Sequence, residues 1–521
     1  MTEFLKNVND LFINLSDLER VKAFGIMSLA SQYKYCHGKY FFFCSILYNG
    51  KNVAQLTDHP DNNDRPNIWI EEDNDDSLIT RLANQIEDIL GSQLIKCKEQ
   101  IKVEIDKITS PELKAIKLVL VKEFENSYMK EFKKLTKASY AKSILPFFIH
   151  IITDNKFDEK ININHQYLLP LKNDNYNFKT GKIEERTEHQ FFSKRLNISS
   201  KVLRDAVDKK KLKEVDNFFL QISNNDEIKK NYLKKIFGYC LTGDINARAF
   251  FIFYGKGANG KSGVIEILQA LLNKFCVTVE PSVMIKRGKK NGGSASPEMV
   301  ALDLGTRVSI LSEIDDNDEL NETLLKNVSG GDEISYRTLF KDQKTFVSES
   351  KCIILTNTKP KCSATQSMID RTRYVEFNAR FTDNPIDGEF KKDPSIIKKL
   401  KSELLEYVLL WCIEGTKEYL KDGLLIPKEL QNENATFTTF NDSFVRFRNS
   451  CLTDDPKFLQ SRLSLHAIYT TFCKDEDILK PLTKNQLIEK ITKVYGEPTK
   501  IHGDFCFRGF KIQEEENPLD A

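Results

Sequence analysis

The sequence predicts an α/β protein in which a parallel-sheet core lies between mainly helical segments and a small C-terminal domain. Residues 246–385 alternate β-rich runs with helical patterns, an order typical of a sheet covered by helices. Within them, a glycine-rich motif at 255–262 joins one such run to the helical pattern that follows. The 521 residues are 40% hydrophobic and 29% charged, which is typical of a folded protein of several domains and not of a disordered chain.

Composition and periodicity divide the chain into successive segments. They are an N-terminal α+β domain of unknown role at 1–160, a mainly helical lead-in domain at 161–240, the α/β core at 241–390, a helical connector at 391–439, a winged-helix-like domain at 440–513 and an acidic tail at 514–521. In the winged-helix-like segment, three helical patterns precede strands around Gly503, and this order predicts that fold.

Charge and cysteine usage narrow the class of protein. The 77 basic and 75 acidic residues leave a net charge of +2, which excludes a chain coated with positive charge but not local binding of phosphates. The 11 cysteines never have C-x-x-C spacing, and the first residues lack the apolar region of a secretory signal. We therefore expect free thiols in an intracellular, reducing compartment, and no membrane partner, since no apolar run approaches ~18 residues.

The glycine-rich motif is a complete G-x-x-x-x-G-K-S. It consists of Gly255, Lys256, Gly257, Ala258, Asn259, Gly260, Lys261 and Ser262. A buried-strand pattern precedes it and an amphipathic helix pattern follows it, which is the context in which this motif cradles phosphates. Lys261 would reach the β- and γ-phosphates and Ser262 would ligate Mg²⁺. The motif therefore predicts a nucleoside triphosphatase site; the plainer alternative is a glycine-rich turn.

Two further strand patterns end in polar residues that would complete hydrolysis. The run at 307–311 ends at Ser312 and Glu313, which places Glu313 to polarise the attacking water or to hold Mg²⁺ through water. The run at 351–356 ends at Asn357, a candidate sensor of the γ-phosphate and the water. Each has an alternative, a surface carboxylate for Glu313 and a turn amide for Asn357.

An arginine pair precedes the next strand pattern. Arg371 and Arg373 precede a strand-like run that ends at Phe377. Either guanidinium could act as an arginine finger on the nucleotide of a neighbouring subunit. An ordinary ion pair is the alternative for each.

These motifs, in this order and spacing, resemble those of superfamily 3 helicases, above all the poxvirus and phage-plasmid type of primase-helicase. Matches before and after the core extend the resemblance over residues 160–513. One feature departs from the family pattern. Many members carry two adjacent acids at the second motif, whereas Ser312 occupies one of these places here, so that Glu313 would serve alone or with Asp315.

The resemblance implies an AAA+-like ATPase core with ATP and Mg²⁺ as cofactors. It implies an ATP-dependent DNA helicase of viral, phage or mobile-element replication, forming a hexameric ring that moves 3′→5′ on single-stranded DNA. ATP would lie between subunits, with Arg371, rather than Arg373, contributed by the neighbour. A separate primase or polymerase is a further candidate partner. The alternatives are a replication-initiator ring that melts DNA without processive unwinding, and a DNA-packaging or remodelling ATPase.

Four basic residues are candidate DNA contacts. Lys341 and Lys344 lie in a segment that resembles the DNA-contacting hairpin of the family. Lys286 and Arg287 begin a basic, glycine-rich loop, for which a solvated loop without a ligand is the alternative.

Overall fold

The computed structural model describes most of the chain. It covers residues 33–36, 39–44, 68–72, 75–135, 137–154, 156–157, 160–162, 165–286, 297–303, 305–312, 314, 318–337, 343–476, 478, 481–501 and 503–512. The chain forms two compact units. The first comprises Met1–Asn164, Pro170–Asn175 and Glu184–Arg195, and the second comprises His165–Leu169, Tyr176–Ile183 and Leu196–Ala521. The acidic tail predicted at 514–521 lies outside the described residues.

The described residues of the first unit form a small sheet and three long helices. The strands β1 (Tyr33–Cys36), β2 (Lys39–Cys44) and β3 (Ile68–Glu72) pair antiparallel in that order. The helices are α1 (Asp75–Asp106), α2 (Pro111–Leu135) and α3 (Ala138–Ile152). Apolar residues of α1 and α3 form the core between them, including Leu78, Leu82, Ala141, Leu145 and Phe148.

Short strands and two capped helices follow in the chain. The strands β4 (Leu168–Pro170), β5 (Asp174–Asn177) and β6 (Lys182–Glu185) form a sheet in that order. The helices α4 (Lys209–Ile222) and α5 (Glu227–Leu241) begin after Asp208 and Asp226, whose carboxylates accept backbone N–H groups of the first turn. Each such cap stabilises its helix by about 1 kcal/mol, which accounts for where these helices start.

The central part of the second unit alternates strands and helices as predicted. The strands are β7 (Phe250–Tyr254), β8 (Cys276–Thr278), β9 (Val308–Leu311), β10 (Glu333–Arg337), β11 (Gln343–Val347), β12 (Lys351–Thr356) and β13 (Thr372–Glu376). The helices are α6 (Lys261–Leu272), α7 (Pro281–Met284), α8 (Glu322–Gly330) and α9 (Gln366–Ile369).

Five of these strands form one parallel sheet in the order β13-β7-β12-β9-β8. The predicted α/β class is therefore confirmed. All five residues of β7 are buried, as expected for a central strand covered on both faces. Because the strands are parallel, the carboxyl ends of β7, β9 and β12 lie at one edge of the sheet. The strand β12, which ends before Asn357, pairs directly with β7, and β9 lies beyond it.

The strands β10 and β11 form a separate antiparallel hairpin. One face of it packs inward through Ile334, Tyr336 and Phe346, while alternate residues such as Glu333 and Thr345 are exposed. This alternation is typical of a hairpin that lies on a core with one face only.

The last part of the second unit contains a second, smaller core. The elements of this part of the chain are β14 (Phe381–Thr382), β15 (Phe390–Lys391), α10 (Pro394–Leu400), α11 (Leu405–Asp422), α12 (Gln431–Asn441), α13 (Ser443–Cys451), β16 (Leu452–Ser461), α14 (Arg462–Asp475), α15 (Lys484–Tyr495), β17 (Thr499–Ile501) and β18 (Asp504–Ile512), and the smaller core lies among those from α13 onward. Short 3₁₀ helices occur at Glu188–Gln190, Ser200–Leu203, Asn273–Phe275, Pro297–Leu302 and Lys428–Leu430.

The three helices α13, α14 and α15 occur where the sequence predicts them, but β16 between the first two was not expected. It pairs with β18 to give the antiparallel order β16-β18-β17. The helices and this sheet share a core that includes Phe447, Leu465, Tyr469, Leu487 and Phe507. In the described part of the chain, no helix combines the length and the apolar character needed to cross a membrane.

Candidate active site

The glycine-rich motif forms the turn between β7 and α6, as predicted. The helix begins at Lys261, and its N-cap, Gly260, has a left-handed φ of 81°. The backbone N–H of Gly255 donates to the Thr356 carbonyl at 3.3 Å. A Cβ at Gly255 would lie 2.1 Å from Asn259 Nδ2, so only glycine fits at this position. The turn presents the N-terminus of α6, where unsatisfied N–H groups and the helix dipole favour an anion.

Lys261 and Asn357 meet at this turn. Lys261 Nζ donates to Asn357 Oδ1 at 2.9 Å and also to the Gly255 carbonyl. The lysine is 6% exposed, and its burial lowers the pKa of its ammonium group. Asn357 itself is exposed. Lys261 is the first residue of α6 and Asn357 follows β12, and the structure brings the two side chains together at one site.

The turn is held from its outer side by residues to which the sequence assigned no role. Asn259 Nδ2 donates to the Phe377 carbonyl at 3.2 Å. The Phe381 N–H donates to the Ala258 carbonyl at 2.8 Å. Phe381 and Phe390 stack with ring centroids 5.4 Å apart. The segment after β13 therefore fixes the shape of the loop, although nothing in its sequence pattern marks it for this role.

The metal-binding prediction is only partly covered by the described residues. Ser262, the second residue of α6, is exposed, so its hydroxyl is available to a cation at the carboxyl edge of the sheet. Ser312 follows β9 at the same edge. Glu313 and Asp315 lie outside the described residues, so their part in holding Mg²⁺ stays a prediction. An exposed hydroxyl beside a phosphate cradle fits Mg²⁺, which usually keeps few protein ligands and several waters.

Arg371 and Arg373 lie at the opposite edge of the sheet. The Phe250 N–H donates to the Arg371 carbonyl at 3.0 Å, and Thr372 pairs with Phe250 at the start of both strands. The five residues of β7, at about 3.3 Å each, separate this edge from the glycine-rich turn, a distance of about 17 Å. Arg371 is therefore not placed to reach the turn of its own subunit.

In the described part of the chain, the hydrogen-bond acceptors of these two guanidinium groups are backbone carbonyls. Arg371 Nη1 donates to the Ser367 carbonyl at 3.0 Å, and Arg373 Nη1 donates to the Asp370 carbonyl at 2.7 Å. Both Nε atoms are buried and have no hydrogen-bond partner among the described residues. The described carboxylates form no ion pair with either guanidinium, so the ion-pair alternative finds no support there.

The two candidate DNA contacts within the described residues are both engaged in ion pairs. Lys344 Nζ lies 2.8 Å from Asp303 Oδ2, and Lys286 Nζ lies 2.9 Å from Glu319 Oε2. Lys341 and Arg287 lie outside the described residues. The sequence offered no sign of these carboxylate partners, because both are distant along the chain.

Two buried cations at the amino edge of the sheet were not anticipated. Arg307 precedes β9 and donates to the carbonyls of Leu241 and, at 2.5 Å, Leu168. Lys351 begins β12 and donates to the carbonyl of Thr242. Leu241 ends α5 and Thr242 follows it, so two of these contacts supply donors to carbonyl groups at the C-terminus of that helix, where intrahelical donors are lacking.

Burial disfavours the charged forms of these cations. It lowers the pKa of Arg307 to about 10, and it lowers the pKa of Lys351 well below the usual range. Burial also raises the pKa of Glu349, two residues before Lys351. The only sequence signal was a basic residue directly before or at the start of an otherwise apolar run.

Comparison with known proteins finds relatives in large DNA viruses. The chain is 25% identical over 330 residues to "Putative helicase L207/L206" of Acanthamoeba polyphaga mimivirus, a match covering 61% of this chain and 34% of that protein. It is 26% identical over 305 residues to "Putative helicase 022R" of Frog virus 3, covering 54% and 30%. It is 24% identical over 305 residues to "Putative helicase 121R" of Invertebrate iridescent virus 3, covering 54% and 31%. The chain thus spans about a third of the length of these relatives.

Other comparisons add little. No model of a protein family matches the chain. Solved structures of the C-terminal region of NrS-1 are 12% identical, with TM-scores of 0.31 and 0.35; they cover 57% and 62% of this chain and 75% and 80% of those chains. At these TM-scores the likeness carries no argument about function.

Proposed function

We propose that the chain is an ATP-dependent DNA helicase that acts in the replication of a large DNA virus or a related mobile element. The observation that carries the proposal is the contact between Lys261 and Asn357, 2.9 Å apart, at the glycine-rich turn. A buried lysine at a helix N-terminus binds phosphate, and an amide on the next strand can orient a water molecule. The similarity to viral proteins named as helicases supports the choice of DNA unwinding as the purpose of this hydrolysis.

The residues of the turn would bind the triphosphate in a defined way. Backbone N–H groups of the loop and of the first turn of α6 donate to phosphate oxygens. Lys261 exchanges its contact with Asn357 for the β- and γ-phosphates, since a charged acceptor gives the stronger hydrogen bond. Asn357, then released, holds the attacking water. Ser262 would be among the ligands of Mg²⁺, an ion that would neutralise negative charge on the phosphates.

The assembly is proposed on the resemblance to superfamily 3 helicases, which implies a hexameric ring that moves 3′→5′ on single-stranded DNA. The position of Arg371 is compatible with that assembly. It lies at the edge of the sheet away from its own nucleotide site, where only the nucleotide of a neighbouring subunit would be accessible to it. The same resemblance proposes the β10–β11 hairpin as a DNA-contacting element.

Strand separation on forked DNA tests this proposal. We expect the purified chain, with ATP and Mg²⁺, to release the labelled strand of a fork with a 3′ single-stranded tail. A matched fork with only a 5′ tail should be released far more slowly. The Lys261→Ala variant should release neither. DNA-stimulated ATP hydrolysis without strand separation would contradict the helicase proposal and favour an initiator that melts DNA without unwinding it.

A further inference from the structure

The β10–β11 hairpin is attached to a buried carboxylate near its turn, at the cross-strand pair Tyr336 and Lys344. Asp303 Oδ2 accepts a hydrogen bond from Tyr336 Oη at 2.9 Å and pairs with Lys344 Nζ at 2.8 Å. Tyr336 belongs to β10 and Lys344 to β11, so one carboxylate binds both strands. The side chain of Asp303 is 10% exposed, whereas that of Lys344 is 30% exposed.

Apolar packing and a further hydrogen bond hold the same region. The rings of Tyr336 and Phe346 pack edge to face with centroids 5.5 Å apart, and both residues are buried. Just after β11, Ser348 Oγ donates to the Leu302 carbonyl at 3.2 Å. The hairpin is thus fixed at several points to the segment 297–303.

This attachment joins the two strands that reach the nucleotide site. Asp303 is followed by Thr306, whose hydroxyl donates to the Asp303 carbonyl at 3.1 Å, and then by β9, which ends before Ser312. On the other side, β11 leads through three residues into β12, which ends before Asn357. A change at the nucleotide would therefore reach the hairpin through β12, and Asp303 would hold the hairpin to β9 as it moves.

We propose that Asp303 is a positioning residue for the hairpin, and that Lys344 acts by binding Asp303 and not by binding DNA phosphates. This inference rests on the proposed function, because it assumes that the hairpin contacts DNA. Loss of Lys344 removes the ion pair of the buried Asp303 carboxylate, which destabilises the arrangement. Loss of Asp303 removes the acceptor that Tyr336 and Lys344 share. The hairpin would then keep its exposed groups but lose its fixed orientation.

The variants Asp303→Asn and Lys344→Met separate this role from direct phosphate binding. If Lys344 is held for positioning, both variants lower the ratio of DNA-stimulated to basal ATP hydrolysis by about fivefold or more. The double variant should lower it no further than the stronger single variant, because both remove one interaction. If Lys344 binds phosphate instead, Asp303→Asn releases it, and DNA binding becomes as tight as or tighter than in the wild type.

The salt dependence of single-stranded DNA binding gives a second readout that a general loss of structure would not mimic. A phosphate contact contributes about 0.7 to the slope of log affinity against log salt concentration. The positioning role predicts that Lys344→Met leaves this slope unchanged. A slope lowered by that amount, together with wild-type or tighter binding by Asp303→Asn, would overturn the inference.

Two control variants and one milder variant distinguish loss of this contact from a general effect of removing an ion pair. Glu414→Gln and Lys417→Met remove an ion pair of 2.6 Å between side chains that are more than half exposed, and should leave the hydrolysis ratio unchanged. Tyr336→Phe removes only the hydroxyl donor to Asp303 and keeps the ring, so it should lower the ratio in the same direction by a smaller factor. If the ratio is unchanged in both Tyr336→Phe and Asp303→Asn, the inference about Asp303 is overturned while the proposed function stands. A wild type whose hydrolysis DNA does not stimulate would overturn the proposed function as well.

Discussion

At the amino edge of the central sheet, Arg307 and Lys351 are 2% and 1% exposed and donate to backbone carbonyls at the end of α5. At the carboxyl edge, Lys261 is nearly as buried, at 6% exposed, but one of its partners is the exposed side chain of Asn357. The carbonyl partners are fixed by the helix that carries them. The amide of Asn357 is free to rotate away when a stronger acceptor arrives.

The comparison shows that one sheet can carry cations whose contacts stabilise the fold and a cation whose contact a ligand can replace. Buried cations destabilise a fold unless every donor finds an acceptor. The acceptors of Arg307 are carbonyl groups of the protein itself. Loss of these hydrogen bonds should therefore lower the free energy of unfolding. Lys261 has a partner that a phosphate group can replace, so removal of Lys261 should lower the rate of ATP hydrolysis. A bound phosphate would also raise the lowered pKa of Lys261, because nearby negative charge favours the ammonium form.

The largest effect is expected for Lys261→Ala. The substitution removes the point charge from the β- and γ-phosphates, so steady-state ATP hydrolysis should fall by about a thousandfold or more. Lys274→Ala, at an exposed position just beyond the end of α6, is the matched control and should retain wild-type hydrolysis. Substantial hydrolysis by Lys261→Ala would place the active site elsewhere.

Mixing two inactive variants tests the arginine at the amino edge. Arg371→Ala and Lys261→Ala subunits should regain part of the ATP hydrolysis when mixed, because some interfaces then combine an intact turn with an intact Arg371. Mixing Arg373→Ala with Lys261→Ala identifies which arginine is needed. If Arg371→Ala co-assembles with Lys261→Ala and no activity returns, Arg371 does not act on a neighbouring subunit.

The contacts of Arg307 at the amino edge predict that Arg307→Met destabilises the fold. The carbonyls of the buried Leu241 and the partly buried Leu168 lose their donor, so the free energy of unfolding should fall by about 3 kcal/mol. Chemical denaturation followed by circular dichroism measures it. The exposed Arg380, paired with Glu389 at 3.2 Å, provides the control, since Arg380→Met should change stability by less than about 1 kcal/mol. Equal effects of the two substitutions would refute the structural role of Arg307.

A smaller effect is expected for Asn357→Ala. If the amide orients the attacking water, kcat for ATP should fall by about a hundredfold, or about 2.7 kcal/mol, while KM changes little. Asn378→Ala, at an exposed position after β13 on the same edge, should leave both constants unchanged. A change confined to KM would show that Asn357 binds nucleotide without assisting the chemical step.

The sequence predicts the carboxyl edge far better than the amino edge. The turn at 255–262 is a local pattern, and its glycines are required by its own backbone, so it can be identified without knowledge of the fold. The contacts of Arg307 with Leu241, and of Lys351 with Thr242, join residues 66 and 109 positions apart. No periodicity encodes such pairs, because they depend on where α5 ends relative to the sheet.

The hairpin and the C-terminal domain show two other limits of prediction from the sequence. Lys344 looks like a basic residue available for DNA, and only the fold brings Asp303, 41 positions away, to it. The strand β16 has the sequence LTDDPKFLQS, in which two acids and a proline interrupt any alternation of apolar residues. Its pairing is irregular between Asp455 and Leu459, as expected for a strand with such an interruption.

The rate of ATP hydrolysis with and without single-stranded DNA tests the central claim most directly. In Mg²⁺-containing buffer, the wild-type chain should hydrolyse ATP and do so faster when single-stranded DNA is added. Lys261→Ala should show neither activity. Hydrolysis by the wild type that does not exceed that of Lys261→Ala, with or without DNA, would contradict the account.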